Sequence, residues 1–158
     1  MNPEKSFDYR ALFDLSGRVA LVVGGGSGIG QASAEAIAAF GAHVVCSDVN
    51  ASDAAGVAQR IRNAGGKATH ATVDARSTES VETLVAKVER EFGRLDVVLA
   101  TPAVNLRKRL VDYSDDEFDR VIELNLKGTF RVARAAARDA RAPAGQYHPH
   151  VVDSLRQC

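Results

Sequence analysis

Gly24, Gly28 and Gly30 are spaced Gly-x3-Gly-x-Gly, and Asp48 follows eighteen residues after the last of them. Glycines in such a run let a backbone turn sharply and approach a bulky anion with no Cβ in the way. Ser27, Gly28, Ile29 and Gly30 stand where a helix would begin. The first amides of a helix, with the positive end of its dipole, suit a pyrophosphate. A carboxylate closing the next strand can accept hydrogen bonds from the ribose of an adenosine. The chemistry these residues could do is therefore the binding of a dinucleotide. A glycine run by itself is also compatible with a plain flexible turn; what separates the two is whether strand, helix, strand and acid stand in register around it.

The flanking elements do stand in register. Val19 to Val23 is a short apolar run, as a strand buried on both faces requires. Residues 31–40 carry Ala32, Ala36, Ile37 and Phe40 on one side of a helix, and Gly41 is a suitable stop. Residues 42–47 form a second strand. Ser52 is the expected N-cap of a helix through Ala64, which Gly65-Gly66 ends. A third strand over 67–73 closes at Asp74. Ser77 or Thr78 caps the next helix, where Val81, Leu84, Val85, Val88 and Phe92 share one face and Gly93 stops the run. Residues 95–100 form a fourth strand. Four alternations of strand and helix predict a parallel sheet with right-handed crossovers.

Upstream, Phe7, Tyr9, Leu12, Phe13 and Leu15 punctuate a polar lead-in and would pack along the outside of the first strand. Downstream, a loop over 101–113 contains Arg107-Lys108-Arg109, either a solvated loop or a cationic face for an anionic substrate. Ser114 and Glu117 read as a capping box before a long helix. Its buried stripe runs Phe118, Val121, Ile122, Asn125, Thr129, Val132. Asn125 is a polar amide on an apolar face, so it serves either a core hydrogen bond or a function. Gly128 beside it indicates close packing or a local irregularity.

The 158 residues fit one domain, and 46% apolar with 25% charged residues is ordinary globular composition. Twenty basic and twenty acidic side chains cancel, which argues against nucleic acid or an anionic membrane as partner. No apolar run is long enough to span a bilayer, and the first residues lack the pattern of a signal peptide. Cys46 and Cys158 are the only cysteines, so no disulfide framework is expected and a cytoplasmic location fits. His148 and His150, without a further cluster of ligands, do not make a metal site.

From residue 15 to about 138, the order of elements and the motifs resemble the N-terminal half of the short-chain dehydrogenase/reductase family. That family's motif is Thr-Gly-x3-Gly-x-Gly; Val23 stands in the place of its Thr. The resemblance implies an α/β, Rossmann-type doubly wound parallel sheet of order 3-2-1-4, with the dinucleotide at the switch point between strands 1 and 4. It implies that Asp48 favours NAD over NADP, because a carboxylate repels a 2′-phosphate. Val73 and Asp74 would lie beside the adenine, and Ala100 at the adenine–ribose side. Asn125, in Leu124-Asn125-Leu126-Lys127-Gly128, matches the family's Asn-x2-Gly, whose Asn helps hold a water in a proton relay. The implied activity is hydride transfer between NAD(H) and a small alcohol or carbonyl compound.

Two departures stand out. The family's Asn-Asn-Ala-Gly after strand 4 is replaced by Ala100-Thr101-Pro102-Ala103, where Pro102 could pre-set a turn. The family's chemistry also needs a Ser on strand 5 and a Tyr-x3-Lys, the Tyr being its general acid/base. Here Tyr9, Tyr113 and Tyr147 are followed four residues later by Phe13, Glu117 and Val151, and the last lysine is Lys127. Asn125 is thus the one member of the catalytic tetrad present. The expected organisation is an incomplete NAD(P)-binding domain over 1–138, truncated before the fifth strand, with an irregular tail over 139–158. The tail is compatible with a frameshift: one permitted codon set for 145–158, read one base forward, gives GSIILMSSIRSGS, an apolar strand flanked by serines. The expected product is a cofactor-binding fragment without turnover. The rival is a non-catalytic dinucleotide-binding or interaction module. A methyltransferase using S-adenosylmethionine is a third reading, disfavoured by the glycine spacing. An uncovered fourth strand predicts self-association.

Overall fold

The structure is a computed structural model that describes residues 9–139. Four parallel strands lie in the order β3-β2-β1-β4: β1 (Val19–Val23), β2 (His43–Asp48), β3 (Lys67–Thr72) and β4 (Val97–Ala100). This is the expected sheet. All five residues of the central β1 are buried, so both of its faces are covered. Helix α1 (Gly28–Ala39) and helix α2 (Ala51–Asn63) cover one face, where Ala34, Ala38, Val57, Ala58 and Ile61 meet Ala20, Val22, Val44 and Cys46. Helix α3 (Thr78–Phe92) covers the other face, with Val81, Leu84, Val85 and Val88 packed on Leu21, Val23 and Val45.

The long helix after the capping box exists, but in three parts. Helix α4 (Asp115–Ile122) passes into a π-helical stretch, Glu123–Gly128, and then into helix α5 (Thr129–Asp139). The irregularity expected at Gly128 is this π segment, and Gly128 also approaches closely: a Cβ there would stand 3.4 Å from Ala75. Ser114 and Glu117 form the reciprocal capping box, as their spacing predicts.

Several local expectations are corrected. On α1 the inward residues are Gly30, Ala34 and Ala38, whereas Ala32, Ala36 and Phe40 face solvent. The glycine turn sets the rotation of this helix: Gly30 must face β1, and the face one turn on follows from it. Asn50, not Ser52, caps α2; the Ser52 N–H donates to the Asn50 side chain at 3.1 Å. Phe118 is 57% exposed: the helix changes pitch at the π segment, and it is Leu124, Val132 and Ala135 that reach the core. Leu12 and Phe13 lie largely in solvent, Phe13 against the Phe40 ring, whereas Leu15 packs against the core. The fourth strand begins at Val97 rather than Leu95. Phe7 and the whole tail after 139 lie outside the described residues.

Candidate functional site

The glycine run closes the C-terminal ends of β1 and β2 into one unit. The Ser47 carbonyl accepts from the N–H groups of Gly24 and Gly25, both at 2.8 Å, and the buried Ser47 hydroxyl donates to the Val22 carbonyl at 2.9 Å. Gly24 takes φ +83°, a conformation that other residues rarely adopt. A Cβ on Gly24 would lie 2.9 Å from Pro102 N, and one on Gly30 would lie 2.0 Å from the Gly24 carbonyl oxygen. Both glycines are therefore required by contact, and they form a cradle that a side chain would fill.

Helix α1 starts bare. Ser27 is its N-cap, but its side chain makes no capping bond, and the first turn holds no acid. Helices α2, α3 and α4 instead begin with Asp53, Glu79 and the Asp115-Asp116-Glu117 run. Ile29, in that first turn, is 79% exposed. The positive end of α1 thus faces outward with free amides and a free hydroxyl, a suitable seat for a phosphate.

Asp48 sits where the spacing placed it. Its carboxylate accepts from Gly26 N–H at 3.0 Å and Asn50 N–H at 3.1 Å, one amide on each oxygen. Its main-chain carbonyl accepts from Val73 N–H at 3.0 Å, which brings the end of β3 alongside. Val73 is buried, its side chain part of the core on that face of the sheet. Asp74 is held differently: Arg76 grips its carboxylate with two bonds, at 2.9 and 3.0 Å. Those bonds, with one from the Arg76 N–H, hold the Asp74 carboxyl below the usual carboxylate range against a small opposing effect of burial. Ala100 pairs with Val23 at the end of β4.

Thr101 is the site residue that sequence reading missed. Its hydroxyl donates to the Val23 carbonyl at 3.1 Å and the Gly24 carbonyl at 3.3 Å, and its N–H donates to Val23 at 2.8 Å. The visible signal was a hydroxyl residue immediately after β4, read only as the absence of an Asn. Three residues further along the same loop, at Val104, Asn125 takes hold of it. Its Oδ1 accepts from Val104 N–H at 2.9 Å and its Nδ2 donates to the Val104 carbonyl at 3.0 Å. The Asn125 carbonyl accepts from the Thr129 hydroxyl at 2.9 Å. Asn125 thus bonds a loop rather than another helix, and an amide does not titrate. The basic cluster is used locally: Lys108 pairs with Glu117, and Arg109 with Asp112 at 2.8 Å. Two concavities line the outer edge of β3 against α3, from Phe92 through Lys87 to Ser77; neither includes the glycine turn or Asp48. Among the described residues there is no cluster of metal ligands, and no helix long and apolar enough to cross a membrane.

A parallel doubly wound sheet with a glycine cradle at its switch point is the Rossmann type of fold. Residues 18–146 match the family described as short chain dehydrogenase, and the chain belongs to that short-chain dehydrogenase/reductase family of oxidoreductases. The match continues past Arg138 into the tail. The short-chain reductase protein NovJ of Streptomyces niveus is 38% identical over 78% of this chain and 47% of its own length. An NAD-dependent glycerol dehydrogenase of Listeria innocua is 33% identical over 84% of this chain and 51% of its own. A short-chain type dehydrogenase/reductase from Mycobacterium marinum superposes with a TM-score of 0.80 at 32% identity, covering 84% of this chain and 53% of that one. The chain spans about half the length of the curated relatives it matches.

Proposed function

We propose that this chain is the cofactor-binding half of a short-chain oxidoreductase, that it binds NAD(H) in preference to NADP(H), and that it does not itself turn over substrate. The observation that carries the reading is the bare start of α1, free of acid and capping bond, beside a carboxylate held by two amides. The helix end would take the pyrophosphate, with Gly24, Gly28 and Gly30 allowing its approach and Ser27 and Ile29 beside it. Asp48 would take the ribose, and Val73, Asp74 and Ala100 would border the adenine. NAD(H), when bound, would supply the nicotinamide ring that takes a hydride from a small alcohol or gives one to a small carbonyl compound. This sequence brings Asn125 to that chemistry but no Tyr-x3-Lys pair to exchange the proton. A cytoplasmic location accords with this chemistry.

Titration with NADH, NADPH and S-adenosylmethionine tests the reading. NADH should bind tightest and S-adenosylmethionine not at all, and no alcohol should be oxidised. Equal or tighter NADPH binding, or turnover, counts against it. We further infer self-association, because among the described residues β4 pairs only with β1, and Leu126 and Phe130 are 63% and 59% exposed. A sharp monomer peak in size-exclusion chromatography would dispose of that inference. A frameshifted reading is proposed within the tail over 139–158, falling near its residue 146, where the family match ends. Resequencing the gene decides it: another frame must encode a strand ending in Ser-Ser and a later Tyr-x3-Lys.

A further inference from the structure

Asp48 is not the only carboxylate at the edge of the glycine turn. A Cβ built on the buried Gly26 would stand 2.9 Å from the Asp48 carboxylate and 2.9 Å from the Asp53 Cβ, so the two side chains flank the same glycine. Asn50 joins them: its N–H donates to Asp48 at 3.1 Å and its Nδ2 donates to Asp53 at 2.7 Å. The Asn50 Oδ1 is filled by Ser52, through its N–H at 3.1 Å and its hydroxyl at 2.7 Å, so the amide is fixed in this sense.

Among the described residues neither carboxylate has a cationic partner. By contrast Asp74, Asp96, Asp112 and Glu123 each meet an arginine. Two uncompensated carboxylates held as neighbours repel one another. A single acid in the first turn of α2 is explained by the helix dipole. That explanation does not account for a second acid beside it, nor for the absence of a side chain at Gly26 that would part them.

We propose that Asp53 is a second specificity-determining residue, which with Asp48 excludes a ribose 2′-phosphate from the site. The inference rests on the dinucleotide reading above. Asp48, gripped by two amides, is the hydrogen-bond acceptor for ribose hydroxyls. Asp53, held off it by Asn50, adds charge rather than contact. A hydroxyl in this place meets the Asp48 acceptor, whereas a phosphate dianion meets two negative charges and no cation.

The experiment titrates NADH and NADPH against the full chain, D53N, D53S and D48N, with far-UV circular dichroism on each. D53N keeps an acceptor for Asn50 and removes only the charge. It should leave NADH affinity within about twofold and tighten NADPH about fivefold, as expected of one screened charge. D48N should weaken NADH as well. Because the effect is electrostatic, raising salt should narrow the NADH-to-NADPH ratio more in the original chain than in D53N. An unchanged ratio in D53N overturns the proposal while leaving the dinucleotide reading standing. If helix signal falls in D53N, the same criterion applies to D53S. A folded original chain that binds neither nucleotide overturns both.

Discussion

Thr101→Val removes one hydroxyl and preserves the shape of the side chain. That hydroxyl is shared between the Val23 carbonyl at 3.1 Å and the Gly24 carbonyl at 3.3 Å. Val23 keeps the Thr101 N–H at 2.8 Å, so the cost falls on Gly24. Both hydroxyl distances exceed the usual O–H···O length of about 2.7–2.8 Å, which places the bond at the weak end of the range. Leaving a part-buried carbonyl unsatisfied costs about 1–3 kcal/mol, and the weak geometry brings the expected loss to about 1–2 kcal/mol. For a chain of this size that lowers Tm by about 3–6 °C. Urea unfolding followed by circular dichroism should show a lower midpoint at unchanged slope, since the surface exposed on unfolding is the same. Because Gly24 is the first glycine of the cradle, NADH affinity should fall with it. Thr101→Ser restores the donor and should recover most of both losses. A Thr101→Val variant within about 0.5 kcal/mol of the original, the range of an inert surface change, refutes the assignment. So does a serine variant as weak as the valine one.

Gly30→Ala should cost about 1–3 kcal/mol and abolish dinucleotide binding, because a Cβ 2.0 Å from the Gly24 carbonyl forces the turn apart; normal NADH binding by the folded variant would contradict this. Asn125→Ala deletes both bonds to Val104 and should cost about 1–3 kcal/mol, with faster hydrogen exchange at the Val104 N–H; unchanged exchange there would show that the amide does not hold the loop. Burial opposes ionisation of Asp96, but bonds from Arg94, the Val19 N–H and Arg18 outweigh it and hold its carboxyl below the usual range. A carboxyl lowered in the folded state stabilises fully above the unfolded value of about 3.9 and loses that contribution as pH falls through the folded value. The urea midpoint should therefore drop on acidification below about pH 4, and Asp96→Asn should be weaker at neutral pH but flatter in acid; parallel pH curves would exclude Asp96 from the acid response.

What the sequence made legible was whatever depends on neighbours in the chain. The capping box at Ser114 and Glu117, the buried face of α3 and the positive-φ stop at Gly93 are all settled within about one or two turns, and each matches the structure. The parallel sheet was legible because an alternation of strand and helix leaves few topologies open, and the resemblance to the family supplied its order. What failed was set at long range. The face that α1 buries is fixed by Gly30 meeting Gly24, not by where its larger apolar residues fall. The α2 cap at Asn50 rather than Ser52 is a shift of two residues, the ordinary error at a helix end. Phe118 was placed in the core by extending one helical period across a π segment that the pattern does not announce. At the site, the glycines and Asp48 were legible from spacing, whereas Thr101 acts on partners 77 and 78 residues away in the chain.

That distance changes how the two departures near the turn should be read. Taken singly, Val23 lacks a hydroxyl that the family's motif carries, and Thr101 lacks an amide that the family's loop carries. In the structure they meet: the Thr101 hydroxyl reaches the main-chain carbonyl of Val23 itself and that of the next residue. The polar group missing from the end of β1 is supplied from the end of β4. Ala100, one residue earlier, pairs with Val23 in the sheet, so the register of β1 against β4 puts Thr101 beside the first glycine without any adjustment of the loop. Pro102 then packs its nitrogen where a Cβ on Gly24 would be, which closes the back of the cradle. The end of β4 is thus tied to the end of β1 at the first glycine by a hydroxyl that a chain with Val23 does not carry on β1 itself.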